Sequence, residues 1–224
     1  MIAMRMARLK WGRLSLLPSS APSGFAVAVL SVLLGAVPAQ AGSSSVYTKL
    51  DFENDCLALS TYEAGGTWAC SGYKGYPILY SEGDLRTSLF FGHLGPWFKG
   101  TEGNFAFASF GAFNSVGDTV EWRLDSEGVP FATILRWRTD SGNPDEAKGN
   151  VLVVSKVAQP GDGIGCIAGY VDAVTTTDAN TVARMVADTI VPGFDCRTAE
   201  PQWHGGGGDH PATMVYYPGN EPGE

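Results

Sequence analysis

Four cysteines, Cys56, Cys70, Cys166 and Cys196, set the strongest limit on how this 224-residue chain can fold. In an exported protein, an even number of cysteines predicts disulfide bonds. Three pairings are possible, and proximity in the sequence favours Cys56–Cys70 and Cys166–Cys196. No two cysteines have the CxxC spacing of a zinc site, so we expect two disulfides rather than a thiolate metal centre. Each closed loop would stabilise the fold by about 3–4 kcal/mol in the chain-entropy model.

Residues 1–41 have the pattern of a signal peptide. A basic start is followed by the apolar run Phe25–Val37, and Ala39–Ala41 has the small-x-small form of a cleavage site. The apolar run is short for a membrane span, so an uncleaved anchor is the less favoured alternative. We expect cleavage near Ala41, a periplasmic or secreted location, and no stable membrane insertion of the mature chain.

The charge of the mature chain limits its partners. The full sequence has 15 basic and 23 acidic residues, a formal charge of −8. Removing the leader takes away four of the 15 basic residues and none of the acidic ones, which leaves 11 against 23 and a formal charge of −12. Nucleic acids and anionic membranes attract basic surfaces, so both are disfavoured as partners.

Alternation of apolar and polar residues predicts β-strands along most of the mature chain. Val46–Phe52 alternates with a period of two, as in a half-buried strand. The segments Thr119–Leu124 and Phe131–Arg138 alternate on either side of Asp125–Gly128, which predicts a hairpin. In all, the pattern indicates about seven to nine strands, which usually fold into a curled sheet or a sandwich.

One late segment changes to a helical period. Val182, Met185, Val186 and Ile190 are spaced at i, i+3, i+4 and i+8, after a cap at Thr177 or Asp178 and before Pro192-Gly193. The sequence therefore predicts a mainly β (α+β) fold, with an antiparallel β-sheet or sandwich, one C-terminal helix and two disulfides. We expect a single β-rich domain over residues 42–200 and a flexible, Gly- and Pro-rich tail over residues 201–224.

The stretch Cys56–Arg86 concentrates aromatic residues beside charges. We expect Cys56–Gly66 to be a loop, Trp68–Cys70 and Pro77–Tyr80 to be strands, and Ser81–Asp84 to be a turn. Tyr and Trp combine rigid apolar area with a polar group, which suits a binding surface. The alternative is that the aromatic side chains cover a sheet end and that two of the charges form a local ion pair. The candidate binding residues are Trp68, Tyr73, Lys74, Tyr76, Tyr80, Asp84 and Arg86.

Motifs for catalysis are missing from the sequence. It has neither a GxSxG elbow nor an HExxH motif, and its three histidines are His93, His204 and His210. His204, Asp209 and His210 could form a metal clamp, but four intervening glycines favour a disordered loop instead. We predict no catalytic residue, no bound metal and no cofactor. A hydrolase that uses paired carboxylates is the rival, with four acids on turns and strand faces as its candidates: Glu121, Asp125, Glu127 and Asp145.

Two segments, Trp68–Arg86 and Ala179–Cys196, resemble a group of small exported proteins of alphaproteobacteria with no assigned activity. The resemblance implies a periplasmic location and a disulfide-bonded β-fold. The chain is also similar to periplasmic lysozyme inhibitors, some of which carry an SGxxY loop. Here Ser71-Gly72 is followed by tyrosine at 73 and 76, one residue away from that spacing.

Together these features predict a non-catalytic binding module of the cell envelope. It would bind an envelope protein or a small ligand through the disulfide-held aromatic loop. The alternatives are a cell-envelope hydrolase and a protein that is similar to lysozyme inhibitors.

Overall fold

The computed structural model describes residues 42–95, 107–145, 148–206 and 210–215. The predicted signal peptide and residues 216–224 of the predicted tail lie outside the described residues. In the described part, no helix is both long enough and apolar enough to cross a membrane.

Twelve strands and one α-helix make up this part of the chain. The strands are β1 (Ser44–Lys49), β2 (Cys56–Tyr62), β3 (Gly65–Ser71), β4 (Pro77–Gly83), β5 (Arg86–Phe91), β6 (Ala108–Phe110), β7 (Phe113–Leu124), β8 (Pro130–Asp140), β9 (Gly149–Lys156), β10 (Cys166–Asp172), β11 (Gln202–His204) and β12 (Thr213–Val215). The helix is α1 (Ala179–Thr189).

The strands form two main sheets and one small one. A six-stranded sheet has the order β1-β7-β8-β9-β10-β11, and a four-stranded sheet has the order β2-β3-β4-β5. All neighbours are antiparallel except β10 and β11. β6 and β12 form a separate antiparallel pair. The prediction of a mainly β fold with antiparallel sheets and one C-terminal helix is confirmed.

The six-stranded sheet has a hydrophobic core on each face. Trp122 and Trp137 point to one face and pack with residues of the four-stranded sheet such as Ile78 and Phe91. On the other face, a second buried cluster joins side chains of the sheet to α1. Alternate residues of a strand point to opposite faces, so the period of two in β7 and β8 supplies both cores. The second cluster includes Ala132, Ile134, Leu152, Val154, Val171, Ala183 and Val186.

A partly buried polar layer lies between α1 and strand β7. Arg123 on β7 donates to both carboxylate oxygens of Asp188, at 2.9 and 2.6 Å. Arg184 on α1 donates from Nε to Oε1 of Glu121 at 2.6 Å. Glu121 and Arg123 thus point from β7 toward the helix, whereas the apolar residues that alternate with them point to the sandwich core on the other face of the sheet. This polar layer fixes where α1 lies along the sheet.

The apolar face of α1 differs in detail from its prediction. The most buried residues include Ala183, Val186 and Ala187, whereas Met185 is exposed. The small alanines bring the helix close to the sheet, and this rotates Met185 outward. Asp178 precedes the helix with a left-handed backbone (φ 55°) and makes no capping hydrogen bond through its side chain.

Three predictions about local structure are wrong. Cys56–Gly66 is not a loop, because Cys56–Tyr62 forms β2 and pairs with β3. The turn expected at Ser81–Asp84 lies at Asp84-Leu85, because β4 continues to Gly83. The strand number is twelve rather than seven to nine in the described residues, since β2 and the three-residue strands β11 and β12 add to the expected set. β11 and β12 lie within the segment that composition assigns to a flexible tail.

Both predicted disulfides are confirmed. Cys56–Cys70 joins β2 directly to β3, with 3.9 Å between the Cα atoms. Cys166–Cys196 joins β10 to the segment that follows α1, with a Cα distance of 5.7 Å. One disulfide therefore holds an edge of the four-stranded sheet, and the other holds the chain that leaves the helix.

Candidate functional site

The stretch Cys56–Arg86 forms three strands of the four-stranded sheet, β2, β3 and β4, and the first residue of β5, so its candidate residues are spread along β3, β4 and their connections. Trp68 and Tyr80 lie in mid-strand, with ring centroids 5.7 Å apart, and pack against the sandwich core. The Tyr80 hydroxyl donates to Glu82 at 3.0 Å. Burial raises the pKa of Tyr80 to about 12. These two aromatic residues are therefore packing residues.

Tyr73, Lys74 and Tyr76 lie at one end of the sheet, in the connection from β3 to β4. The Tyr73 ring packs 6.4 Å from Trp122, and the Lys74 ammonium lies 5.2 Å from the Tyr73 ring. Tyr76 donates its hydroxyl to Gln159 at 2.8 Å. Intramolecular contacts thus occupy the ring of Tyr73 and the hydroxyl of Tyr76.

Asp84 and Arg86 lie at the other end, at the turn between β4 and β5. They form an ion pair with each other, and Arg86 also donates from Nε to the Gly111 carbonyl at 2.9 Å. Its guanidinium lies 5.2 Å from the centroid of the Phe113 ring. The seven residues of β4 span about 23 Å at the usual rise per residue. The seven candidate residues therefore do not share one surface.

The free edge of the four-stranded sheet has a feature that the sequence patterns did not reveal. β2 pairs with β3 on one side, and its residues from Leu57 to Tyr62 are exposed. Leu57 is 69% exposed and Leu59 is 57% exposed. The strand CLALSTY contains no charge and no proline, which are two of the devices that protect an edge. β2 is therefore an uncharged edge strand that exposes two leucines.

Hydrogen bonds show which backbone groups of β2 face the free edge. The Asp55 carbonyl accepts from the Ser71 amide at 2.8 Å, so Asp55 faces β3. Backbone groups alternate in direction along an antiparallel strand, so Leu57 also faces β3 while Cys56 and Ala58 face outward. The register then shifts between Ala58 and Ser60, which marks a bulge at Leu59. The segment from Cys56 to Ala58 can thus accept a further strand.

Other sheet edges are shorter or better covered. Asn114 covers β5, since its side-chain Oδ1 accepts from the Thr87 amide at 2.9 Å and its backbone amide donates to the Leu85 carbonyl at 3.0 Å. β11 has only three residues, and β1 ends in the charged Lys49. Among the edges of the two main sheets in the described part, β2 is the longest one without a charge.

The histidines of the glycine-rich segment lie on opposite faces of β11. Trp203 is in register with Tyr170 and stacks on it at 5.0 Å, while His204 is in register with Val171 on the helix side. His210 stacks on the Trp203 ring with 4.0 Å between centroids. The two imidazoles are therefore separated by the strand, and they do not form the clamp considered above. Asp209 lies outside the described residues.

The pH dependence of stability offers a test of the His204 environment. Burial lowers the pKa of His204 below its ordinary value of 6.5. The unfolded chain then binds more protons than the folded one below about pH 6.5, so the free energy of unfolding falls on acidification. We expect the difference in stability between wild type and His204→Phe to be constant above about pH 7.5. It should shift in favour of the variant below pH 6.5, as measured by urea unfolding; a constant difference down to pH 5 would contradict this.

Two of the four acids proposed for a hydrolase have structural partners. Glu121 accepts from Arg184, and Asp125 accepts from the amides of Glu127 and Val129 within the β7–β8 turn. In an open cleft of about 730 Å³, a hydrogen bond from Lys148 lowers the pKa of Asp140. A glycosidase general acid needs a raised pKa instead. Every described carboxylate with a resolved pKa shift has a lowered one: Asp51, Asp118, Asp140, Asp172 and Asp195.

Comparisons with protein-family models, with curated proteins and with solved structures found no match to this chain. The geometry of its own residues therefore carries the functional argument.

Proposed function

We propose that this is an exported, non-catalytic binding module that captures an extended segment of a partner protein as an added strand along β2. The observation that carries the proposal is the apolar edge from Cys56 to Tyr62, which bears no charge and exposes Leu57 and Leu59. Main-chain hydrogen bonds supply affinity in this mode of recognition, and side chains supply specificity. Two disulfides support export to an oxidising compartment.

The Cys56–Cys70 disulfide prepares β2 for this role. It fixes the first residue of the strand to β3 at the point where the outward-facing backbone begins. A partner strand then meets an edge that is already ordered, which lowers the entropy cost of binding. This role places the interaction on the strand of the disulfide-held stretch, rather than on its aromatic side chains.

Charges on either side of β2 define the partner. Asp55 precedes the strand and Glu63 follows it. Two-fold antiparallel pairing of two copies centred on Leu59 would place Asp55 of each copy opposite Glu63 of the other, and like charges directly opposite are destabilising. An extended segment with a β-branched or apolar centre and a Lys or Arg at each end avoids this repulsion. We therefore propose a basic-flanked segment of another protein as the partner.

A peptide titration tests the proposal. The probe is a labelled peptide of alternating Val and Thr with two Lys at each end, and the comparison peptide carries Glu in place of Lys. We expect the basic peptide to bind at least about tenfold more tightly in fluorescence anisotropy, because favourable electrostatics is retained and like-charge contact is avoided. Binding should protect the amides of Cys56 and Ala58 from hydrogen exchange.

Two variants distinguish the β2 edge from a general charge effect. Leu59→Lys adds a cation to the edge and should weaken binding of the basic peptide, whereas Met185→Lys adds the same charge to the exposed face of α1 and should not. Ala58→Pro removes an outward amide and should also weaken binding. Equal binding by all variants would refute the proposal. The wild-type chain could instead be a dimer that Leu59→Lys converts to a monomer. In that outcome, the strand added to β2 would come from a second copy of this chain rather than from another protein.

A further inference from the structure

A second surface, away from β2, has the features of a small-molecule site. It is an open cleft of about 730 Å³ between the β4–β5 turn and the nearby ends of β7, β8 and β9. This volume lies within the range of roughly 300–1,000 Å³ that is usual for ligand sites. The cleft brings together apolar side chains that are distant in sequence, and each of them is solvent-exposed. Leu85 is 63% exposed, Val174 is 60% exposed and Phe113 is 37% exposed.

Leu85 is held in this cleft against its backbone preference. The two-residue turn between Gly83 and Arg86 places both Asp84 (φ 49°) and Leu85 (φ 60°) in the left-handed region. Such a turn normally carries Asn or Gly at these positions. A leucine here is both strained and exposed, which is unfavourable for folding. Strain of this kind is commonly retained where function requires it.

Arg138 is the uncommitted cation of the cleft. In the part of the chain that the structure describes, it forms neither a hydrogen bond nor an ion pair through its side chain. The other charges of the cleft have partners, since Lys148 pairs with Asp140 at 2.7 Å and Glu82 accepts from the Tyr80 hydroxyl. A guanidinium with free donors beside apolar surface suits a carboxylate, sulfate or phosphate group.

A neighbouring arginine strengthens the preference for an anion. Arg138 also borders a smaller cavity of about 310 Å³, which Arg136 lines from the same face of β8. Arg136 donates to amide oxygens, chiefly that of Asn150 at 2.7 Å, and not to a carboxylate. The two acids of this cavity are paired elsewhere, Asp118 with Lys49 and Glu121 with Arg184. Two guanidiniums without acidic partners thus lie side by side in a chain whose formal charge is −8.

We propose that the cleft binds a small amphipathic anion, with the acidic group on Arg138 and the apolar part against Leu85, Phe113 and Val174. The Arg86 guanidinium also contacts the Phe113 ring, with 5.2 Å to its centroid. This site is independent of the β2 edge, and neither proposal requires the other.

Three ligands of equal chain length test the proposal on the intact mature chain. Decanoate, decanol and decyltrimethylammonium differ in their head groups, and calorimetric titration measures their affinities. We expect decanoate to bind at least about tenfold more tightly than the other two, as a charge-assisted hydrogen bond to Arg138 requires. Equal affinity for decanol and decanoate would overturn the proposal. Co-sedimentation of the protein with phosphatidylglycerol vesicles would also overturn it, in favour of recognition of a membrane surface.

Three substitutions assign the roles. Arg138→Gln should weaken decanoate binding at least about tenfold, and Arg197→Gln, which removes the same charge from an exposed site elsewhere, should leave it unchanged. Leu85→Gly supplies the residue that the turn prefers, so it should raise the melting temperature while weakening decanoate binding. A variant that loses binding while gaining stability has not lost it through unfolding. Unchanged binding in Arg138→Gln and Leu85→Gly would refute the site.

Discussion

Asp188→Ala is expected to lower the free energy of unfolding by about 3–5 kcal/mol, because it leaves the charge of Arg123 buried without its partner. The Arg123 side chain is only 7% exposed, and both oxygens of Asp188 accept from it. The other hydrogen bonds of Arg123 go to two neutral groups, the Ser45 hydroxyl and the Ser43 carbonyl. Glu121, at 4.0 Å, is already bound by Arg184. Urea unfolding of the purified mature chain measures the loss.

Two further variants distinguish the cost of leaving Arg123 unpaired from the cost of removing any acidic side chain. Asp118→Ala removes the partner of Lys49 in an exposed pair, so it should cost no more than about 1 kcal/mol. The double variant Arg123→Met with Asp188→Leu removes both buried charges and should recover most of the loss, because apolar side chains of similar volume can replace a buried pair. If the double variant were as unstable as Asp188→Ala alone, the loss would not come from an unpaired charge on Arg123.

The sequence was most informative where contacts are local. The β7–β8 hairpin has clean alternation and a turn at Asp125–Gly128, and in the structure Val120, Trp122, Leu135 and Trp137 face the sandwich core as expected. Phe131 is the exception, because it packs on the helix side of the sheet. Both disulfides followed from proximity alone, since the nearest pairings were also those that connect adjacent elements. Alternation of apolar and polar residues determines which face of a strand is buried, so it can be recognised before the fold is known.

Elements that depend on distant partners were not predictable in this way. β2 has no buried face from Leu57 onward, so its strand character comes from pairing with β3 and not from a period in the sequence. β11 is held by parallel pairing with β10 and by Trp203 on Tyr170, across more than thirty residues of sequence. Short strands of this kind have too few residues for a period to be visible.

The predicted binding residues have the composition of a binding surface, but the fold places them too far apart to form one. Tyr73 and Arg86 are 13 positions apart, and the intervening strand β4 separates them by its full length. The cleft beside Arg138 could not be found from sequence either, because Leu85, Phe113 and Val174 meet only when the two sheets pack. A signal was present in the Asp84-Leu85 turn, where a leucine occupies a position that favours glycine.

Removal of the Cys166–Cys196 disulfide is the second large effect that we expect. The two cysteines are 30 positions apart, and loop-closure entropy in the chain-entropy model gives about 3.7 kcal/mol for a loop of this length. Both side chains are buried, at the junction of β10 with the segment after α1. The double variant Cys166→Ala with Cys196→Ala should therefore lose about 3–4 kcal/mol in urea unfolding, and the loss should be accompanied by weaker packing of α1 on the sheet.

The other disulfide provides the matched control. Cys56→Ala with Cys70→Ala opens a loop of 14 positions, for which the same model gives about 3 kcal/mol. Cys56 lies on the edge strand β2, and Cys70 is buried on the neighbouring strand β3. Hydrogen exchange should show loss of protection in α1 and β10 for the first variant, and in β2 and β3 for the second. The second variant should also weaken binding of the basic peptide, because β2 is no longer held in place for the added strand. If the second variant were the less stable of the two, the ranking by loop length would be wrong. If it bound the peptide as tightly as wild type, the disulfide would not have the role in the β2 edge that we assign to it.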